Sequence, residues 1–155
     1  MSEQHALQAL EAAGVPYEIV RHGPVHNLAE AAAARGVAPA GVVKTLVVRR
    51  AAGEHLLVLV PGDRAISWPK LRALLGVSRL SMPDAAAAFQ ATGMVRGTIG
   101  PFGTTATWPV VADERIVGQV ITLGSGEPDV GVRVAADDAV AALAALVADV
   151  TDPAS

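Results

Sequence analysis

A lysine stands in this chain where an aliphatic residue is expected. Lys44 interrupts the run Val42-Val43-Lys44-Thr45-Leu46-Val47-Val48, which is apolar on both parities and reads as a central strand covered on both faces. Strand alternation puts Lys44 on the face of Leu46 and Val48, with Val43, Thr45 and Val47 opposite. An ammonium in that setting costs on the order of several kcal/mol unless it meets an anion or a water-filled cleft. The plainer alternative is a lysine whose stem lies along the core while its head reaches solvent.

Two glycine-rich stretches could supply main-chain donors. Gly93 to Gly103 (Gly-Met-Val-Arg-Gly-Thr-Ile-Gly-Pro-Phe-Gly) holds four glycines and one proline in eleven residues. Such a loop can turn tightly, approach a ligand closely and present successive amides as an anion or oxyanion cradle. Pro101 fixes its own φ and restricts Gly100. An ordinary connection between elements would show the same enrichment. Gly124-Ser125-Gly126 suggests a tight loop with an exposed hydroxyl and free amides. It lacks the Gly-x-Ser-x-Gly spacing of a nucleophile elbow, so a glycine turn is the simpler reading of Ser125. His22 and His26 lie four apart, but Gly23 and Pro24 deny them the helical face of a metal pair. No metal or other cofactor is expected, and His22, just after a strand, could orient a substrate. The usual paired nucleophile and base are missing.

The elements that must position these groups follow from pattern. Residues 4–13 carry Leu7, Leu10 and Ala13 at helical spacing, with Gly14 as a stop. Residues 17–21 alternate like a half-buried strand. Asn27 with Glu30 forms a capping-box signature for a helix over 28–35, stopped by Gly36. Residues 42–50 and 55–60 form a hairpin around Ala51-Ala52-Gly53-Glu54, broken by Pro61-Gly62-Asp63-Arg64. Ser67 caps a helix to Leu75 with Pro69 in its first turn, and Ser81 caps another that starts near Pro83 and Asp84. Residues 92–107 have no helical period. Short strands over 109–112, 118–123 and 130–134 precede an apolar helix over 136–147. Strands in the middle with helices around them predict an α+β domain with a mixed, largely antiparallel sheet.

Composition narrows the function. A chain of 155 residues fits one domain, 1–155, and its 52% hydrophobic and 17% charged residues exclude intrinsic disorder. With no cysteine, thiolate catalysis and Cys-ligated zinc are impossible. Two Trp, one Tyr and two Phe leave few rings for stacking bases, which argues against a general single-strand binder. A net charge of −3 confines any nucleic-acid contact to a local patch. Met1 to His5 shows no basic flank or apolar run, and the longest apolar stretch, 139–148, is about half a membrane span. A soluble cytoplasmic domain without a membrane partner is expected.

Together these residues resemble the YbaK/prolyl-tRNA synthetase-associated domain family of free-standing trans-editing aminoacyl-tRNA deacylases. The resemblance is carried by His22-Gly-Pro-Val, Val42 to Val48, Val60-Pro-Gly-Asp-Arg64, Leu71 to Gly76 and Thr92-Gly93. It continues through Gly97-x-x-x-Pro101-Phe102-Gly103, Val111-Ala-Asp113-Glu114 and Gly124-Ser125-Gly126, so that it covers about residues 17–148. It implies a compact α+β domain and hydrolysis of the ester that joins a wrong amino acid to the terminal adenosine of a tRNA. The family lysine maps onto Lys44, and the family glycine loop onto Gly97 to Gly103. By this mapping Lys44, Gly97, Gly100 and Pro101 are the catalytic candidates. His22, Thr45, Phe102, Gly103, Gly124, Ser125 and Gly126 are the substrate-binding candidates. The implied partners are the acceptor end of tRNA and an aminoacyl-tRNA synthetase.

An acceptor stem needs a basic rim. Arg64, Lys70, Arg72 and Arg79 cluster within sixteen residues, and Arg96 sits inside the glycine loop. A solvated helix face would look the same. The competing functions are a module that binds aminoacyl-tRNA or a synthetase without catalysis, and a small-molecule esterase or nucleotide-binding domain built on the same glycine loops.

Overall fold

The computed structural model describes residues 2–154. Five helices, α1 (Ser2–Ala12), α2 (Leu28–Arg35), α3 (Trp68–Leu75), α4 (Ala85–Thr92) and α5 (Ala136–Leu143), surround three small sheets. The first sheet orders β1 (Glu18–Arg21), β7 (Val130–Ala135) and β6 (Val120–Gly124), all antiparallel. The second orders β2 (Lys44–Ala51), β3 (Glu54–Val60), β5 (Val110–Asp113) and β8 (Leu146–Ala148). It is mixed: β2 and β3 form the antiparallel hairpin, while β3–β5 and β5–β8 run parallel. β4 (Arg64–Ile66) and β9 (Thr151–Pro153) make a separate antiparallel ribbon. The fold is α+β, and antiparallel pairs predominate, but the expected single sheet is divided in three.

Local chemistry explains most boundaries. Asn27 Oδ1 accepts from Glu30 N at 2.9 Å, the Glu30 carboxylate reaches back to His26 N at 3.3 Å, and Gly36 closes α2 at φ 71°. Ser67 caps α3 as expected. Helix α4 is capped by Asp84, whose Oδ1 accepts from Ala87 N at 2.8 Å. Ser81, expected in that role, instead exchanges main-chain bonds with Arg49. The apolar run after Asp138 does not stay helical to residue 147. Ala144 turns left-handed at φ 50°, ends α5, and releases Leu146 to pair beside Val111.

Two cores lie on either side of the second sheet. Val43, Val47, Leu57, Leu59 and Ala112 pack with α1, α4, α5 and the first sheet, while Val48, Leu56, Val58, Val60 and Val111 pack with Leu71 of α3. Alternation along β2 therefore holds as expected. Its place in the sheet does not, because β2 is an edge strand rather than a central one. Its two apolar parities reflect layers packed above and below, which a central strand and a covered edge strand share.

Candidate functional site

The outer edge of β2 is open only in its middle. At one end Val43 N–H donates to Thr122 O of β6 at 3.0 Å, and at the other Arg49 exchanges bonds of 2.7 and 3.1 Å with Ser81. Alternation turns the main-chain groups of Thr45 and Val47 to the same side. Between the two clasps lies a cavity of about 330 Å³, lined along one wall by residues 42–47 and elsewhere by Arg35, Ala88, Arg96, Gly97, Ile99 and Gly124. Its lining is mostly apolar and holds three cationic side chains, Arg35, Lys44 and Arg96, but no carboxylate.

Lys44, the first residue of β2, is half-buried, and its Nζ donates to Arg64 O at 2.7 Å. Burial pulls its pKa below the ordinary lysine value, and nearby Asp63 opposes that shift. One of three N–H donors is thus engaged, which leaves two for a ligand. Thr45 next to it is buried, and its Oγ1 has no hydrogen-bond partner among the described residues.

The two glycine loops meet directly. A Cβ on Gly100 would lie 1.8 Å from Gly124 O, and one on Gly124 would lie 2.3 Å from Ile99 O. Gly126 N donates to Thr98 O at 2.8 Å and locks this seam. Gly97, at φ 93°, and Gly124 line the cavity, while Gly100 and Gly126 form the wall behind them.

Ser125 differs from the expectation. Its hydroxyl is fully buried, not exposed, because Oγ donates to Val130 O at 2.7 Å and accepts from Glu127 N at 3.2 Å, holding the turn together. Pro101, Phe102 and Gly103 do not line this cavity. The chain has already passed to the far side, where Phe102 joins the main core and Gly103 abuts the backbone of α1 at Ala6. A side chain at Gly103 would strike that backbone, so the glycine serves packing. His22 sits outside the lining as well. Its Nε2 accepts from Arg35 Nε at 3.2 Å while Nδ1–H faces Gly23 O at 2.7 Å, which fixes the tautomer.

Arg35 is the residue that pattern reading missed. Its guanidinium turns inward from the end of α2, lies over Gly131, and donates to His22 and, at 3.4 Å, to Thr122 Oγ1. Burial lowers its pKa and Asp129 opposes that shift. Arg96 is anchored by Nη2 donating to Pro83 O at 2.8 Å.

The basic rim divides in two. Lys70 is held by Asp149 and Asp152, and Arg64 is tied to Thr151. Arg72 and Arg79 instead join Arg49 and Arg50 around a groove of about 520 Å³ that also has no acidic lining. The stretch Ser81-Met82-Pro83 separates this groove from the cavity. An acid-free, cation-lined slot beside an apolar pocket suits a ligand that pairs a phosphate with a small apolar group.

Known proteins resemble this chain in sequence and in fold. The family model described as "Aminoacyl-tRNA editing domain" matches residues 22–142. A proline–tRNA ligase of Desulfotalea psychrophila is 41% identical over 81 residues, which are 52% of this chain and 14% of the ligase. That of Trichlorobacter lovleyi is 32% identical over 104 residues, 66% of this chain and 18% of the ligase. The chain thus spans under a fifth of the length of these relatives. A solved structure of a candidate trans-editing enzyme for prolyl tRNA synthetase superposes with TM-score 0.89 at 26% identity, covering 97% of each chain. A hypothetical protein of solved structure gives TM-score 0.85 at 26% identity over 94% of this chain and 98% of its own. With the family match spanning most of the described fold, and Lys44, Gly97 and Gly124 around one cavity, the chain belongs to the aminoacyl-tRNA editing domain family.

Proposed function

We propose that this chain is a trans-acting aminoacyl-tRNA deacylase, a single editing domain that hydrolyses the ester of a mischarged tRNA. The observation that carries this reading is the convergence of Lys44, Gly97 and Gly124 on one apolar cavity whose charged lining is wholly cationic. The two relatives described above are proline–tRNA ligases, which supports a tRNA charged by that ligase as substrate and the ligase itself as a partner.

The mechanism needs no protein nucleophile. Ser125 Oγ is locked in its turn, no cysteine exists, and the cavity lining holds no carboxylate or histidine to activate the Thr45 hydroxyl, so water is taken as the attacking group. Water adds to the ester carbonyl, the developing oxyanion is met by a Lys44 N–H and by glycine-loop amides, and the vicinal ribose hydroxyl positions the water. Collapse breaks the bond to the ribose oxygen, which takes up the proton given up by the attacking water as the free amino acid leaves. Alternatively the Lys44 ammonium grips the terminal phosphate and the loop amides alone meet the oxyanion. Thr98 N and Gly126 N are already bonded within the protein, whereas the cavity-lining Gly97 and Ile99 make no such main-chain bond among the described residues, which leaves their amides as the loop's donors for that task. The lining residues Ala31, Ala88, Val42 and Val43 give the pocket an apolar wall for the aminoacyl group.

Loss of one oxyanion donor typically reduces rate ~100- to 1,000-fold. Lys44→Ala is expected to lose at least that much deacylation of a mischarged tRNA while keeping the wild-type circular dichroism spectrum. Near-wild-type turnover would refute the role of Lys44. Binding of the tRNA without release of free amino acid, at catalytic enzyme concentration, would establish a non-catalytic module instead.

A further inference from the structure

Asp113, in the Val111-Ala-Asp113-Glu114 stretch, is completely buried at the end of β5 and takes no part in the reaction described above. Its carboxylate accepts from Arg115 N at 3.0 Å, Arg115 Nη1 at 3.2 Å, Val150 N at 3.2 Å and Thr151 Oγ1 at 2.8 Å. Thr151 Oγ1 in turn accepts from Arg64 Nε at 2.7 Å, and Arg64 Nη2 donates to Thr151 O at 3.1 Å. Arg64 O is the acceptor for Lys44 Nζ.

We propose that Asp113 is a positioning residue for Lys44, acting through Thr151 and Arg64, and that β9 is the latch that carries this line of bonds. Its catalytic consequence rests on the deacylase reading; the geometry does not.

The direction of every bond in the line is fixed by chemistry. A guanidinium can only donate, and an ionised carboxylate can only accept. The Thr151 hydroxyl between them therefore points its single proton at Asp113 and its lone pair at Arg64. Arg64, gripped twice by Thr151, lies opposite Pro153 in the β4–β9 ribbon, while its own N–H donates to Pro61 O at 3.0 Å. The carbonyl that orients the ammonium is thus set by a residue 87 positions further along the chain. Lys70 and Ser67 also hold this segment, through Thr151 O and Val150 O, but the Thr151 hydroxyl itself is bonded to a fully buried carboxylate. A side chain with four rotatable bonds, such as lysine, keeps one geometry only when its acceptor does.

The test reads the ammonium itself. The chain has two lysines, Lys44 and Lys70, so ¹³C-lysine labelling gives two ε-carbon signals to titrate in the tRNA-free protein. The charged groups around Lys44 are Asp63 and Arg64 from the turn into β4, and Arg35 and Arg96 across the cavity. Loss of a fixed acceptor disfavours the charged form, so Thr151→Val is expected to lower the Lys44 midpoint by ~0.5 pH unit or more. Thr151→Ser, which keeps the hydroxyl, is expected to restore it. Arg64→Gln, which keeps the carbonyl but loses the two-pronged grip, serves if Thr151→Val does not fold. An unchanged Lys44 midpoint in a folded Thr151→Val or Arg64→Gln variant would overturn the proposal. In parallel, single-turnover deacylation should fall roughly tenfold or more in the variants that move the midpoint, since small misplacements of a reacting group cost about that or worse. Wild-type protein without any deacylation would sink the proposed function, yet the titration would still decide the positioning.

Discussion

Gly100 and Gly124 meet backbone to backbone, and that contact decides what each can tolerate. A methyl group on Gly100 would lie 1.8 Å from Gly124 O, where no flexible side chain can yield. Gly97 has open space around its Cβ position and is constrained only by its φ of 93°. Gly97→Ala should therefore cost ~1–2 kcal/mol of backbone strain and leave the seam closed. Gly100→Ala must part the two loops, and is expected to lower the thermal midpoint further and to abolish deacylation, as read by calorimetry and amino-acid release. Equal midpoints for the two variants would show that the seam is not the constraint. Lys44 is legible in the sequence because a charge inside an aliphatic run contradicts its surroundings. Arg35 is not, because a basic residue ending an alanine-rich helix is what the helix dipole favours on a solvated surface. Its inward turn depends on Gly131, 96 residues away in sequence, making room for the guanidinium.

The same contrast appears at the level of elements. Boundaries set by local chemistry, such as the Asn27–Glu30 box, the Ser67 cap and the glycine stop of α2, are legible from neighbours alone. The start of α4 tests that statement. Asp84 supplies the cap, so Asp84→Ala should cost ~1 kcal/mol in urea unfolding. Ser81→Ala should cost much less, because Ser81 meets Arg49 through its main chain. Comparable losses from both would return the capping role to Ser81. Elements made by distant pairing were hidden. β4, β8 and β9 have three residues each, too few for alternation to register, and β8 emerges from an alanine run with helical composition. Only Val111 and its neighbours on β5, waiting at a sheet edge, make Leu146–Ala148 a strand. The run at 42–48 reads as a strand, but burial of both its faces does not reveal that β2 lies at the open edge of its sheet. That open edge is what admits the cavity.

At the scale of the whole molecule, the net charge of −3 conceals a separation of charge. Lys70, Arg115, Arg21 and Arg133 are matched by Asp149, Asp152, Asp113, Glu3 and Glu18, with Arg115 and Lys70 holding the Asp149 carboxyl down at about 2. Arg49, Arg50, Arg72 and Arg79 gather around a groove without an acid in its lining. That groove begins five residues along β2 from Lys44, roughly 17 Å at strand rise. A tRNA 3′ end seated in the cavity would bring its preceding phosphates there. Each phosphate neutralised on a single strand steepens the fall of log K with log salt by about 0.7. Four contacts would give a slope near −3, and Arg72→Ala with Arg79→Ala should flatten it by ~1.4 without moving the single-turnover rate at saturation. An unchanged slope in the double variant would assign the four arginines to solvation. A lowered saturating rate would mean that they shape the cavity rather than guide the strand towards it. The first outcome expected here, weaker capture with intact chemistry, follows because Ser81-Met82-Pro83 stands between groove and cavity, so the two can be altered one at a time.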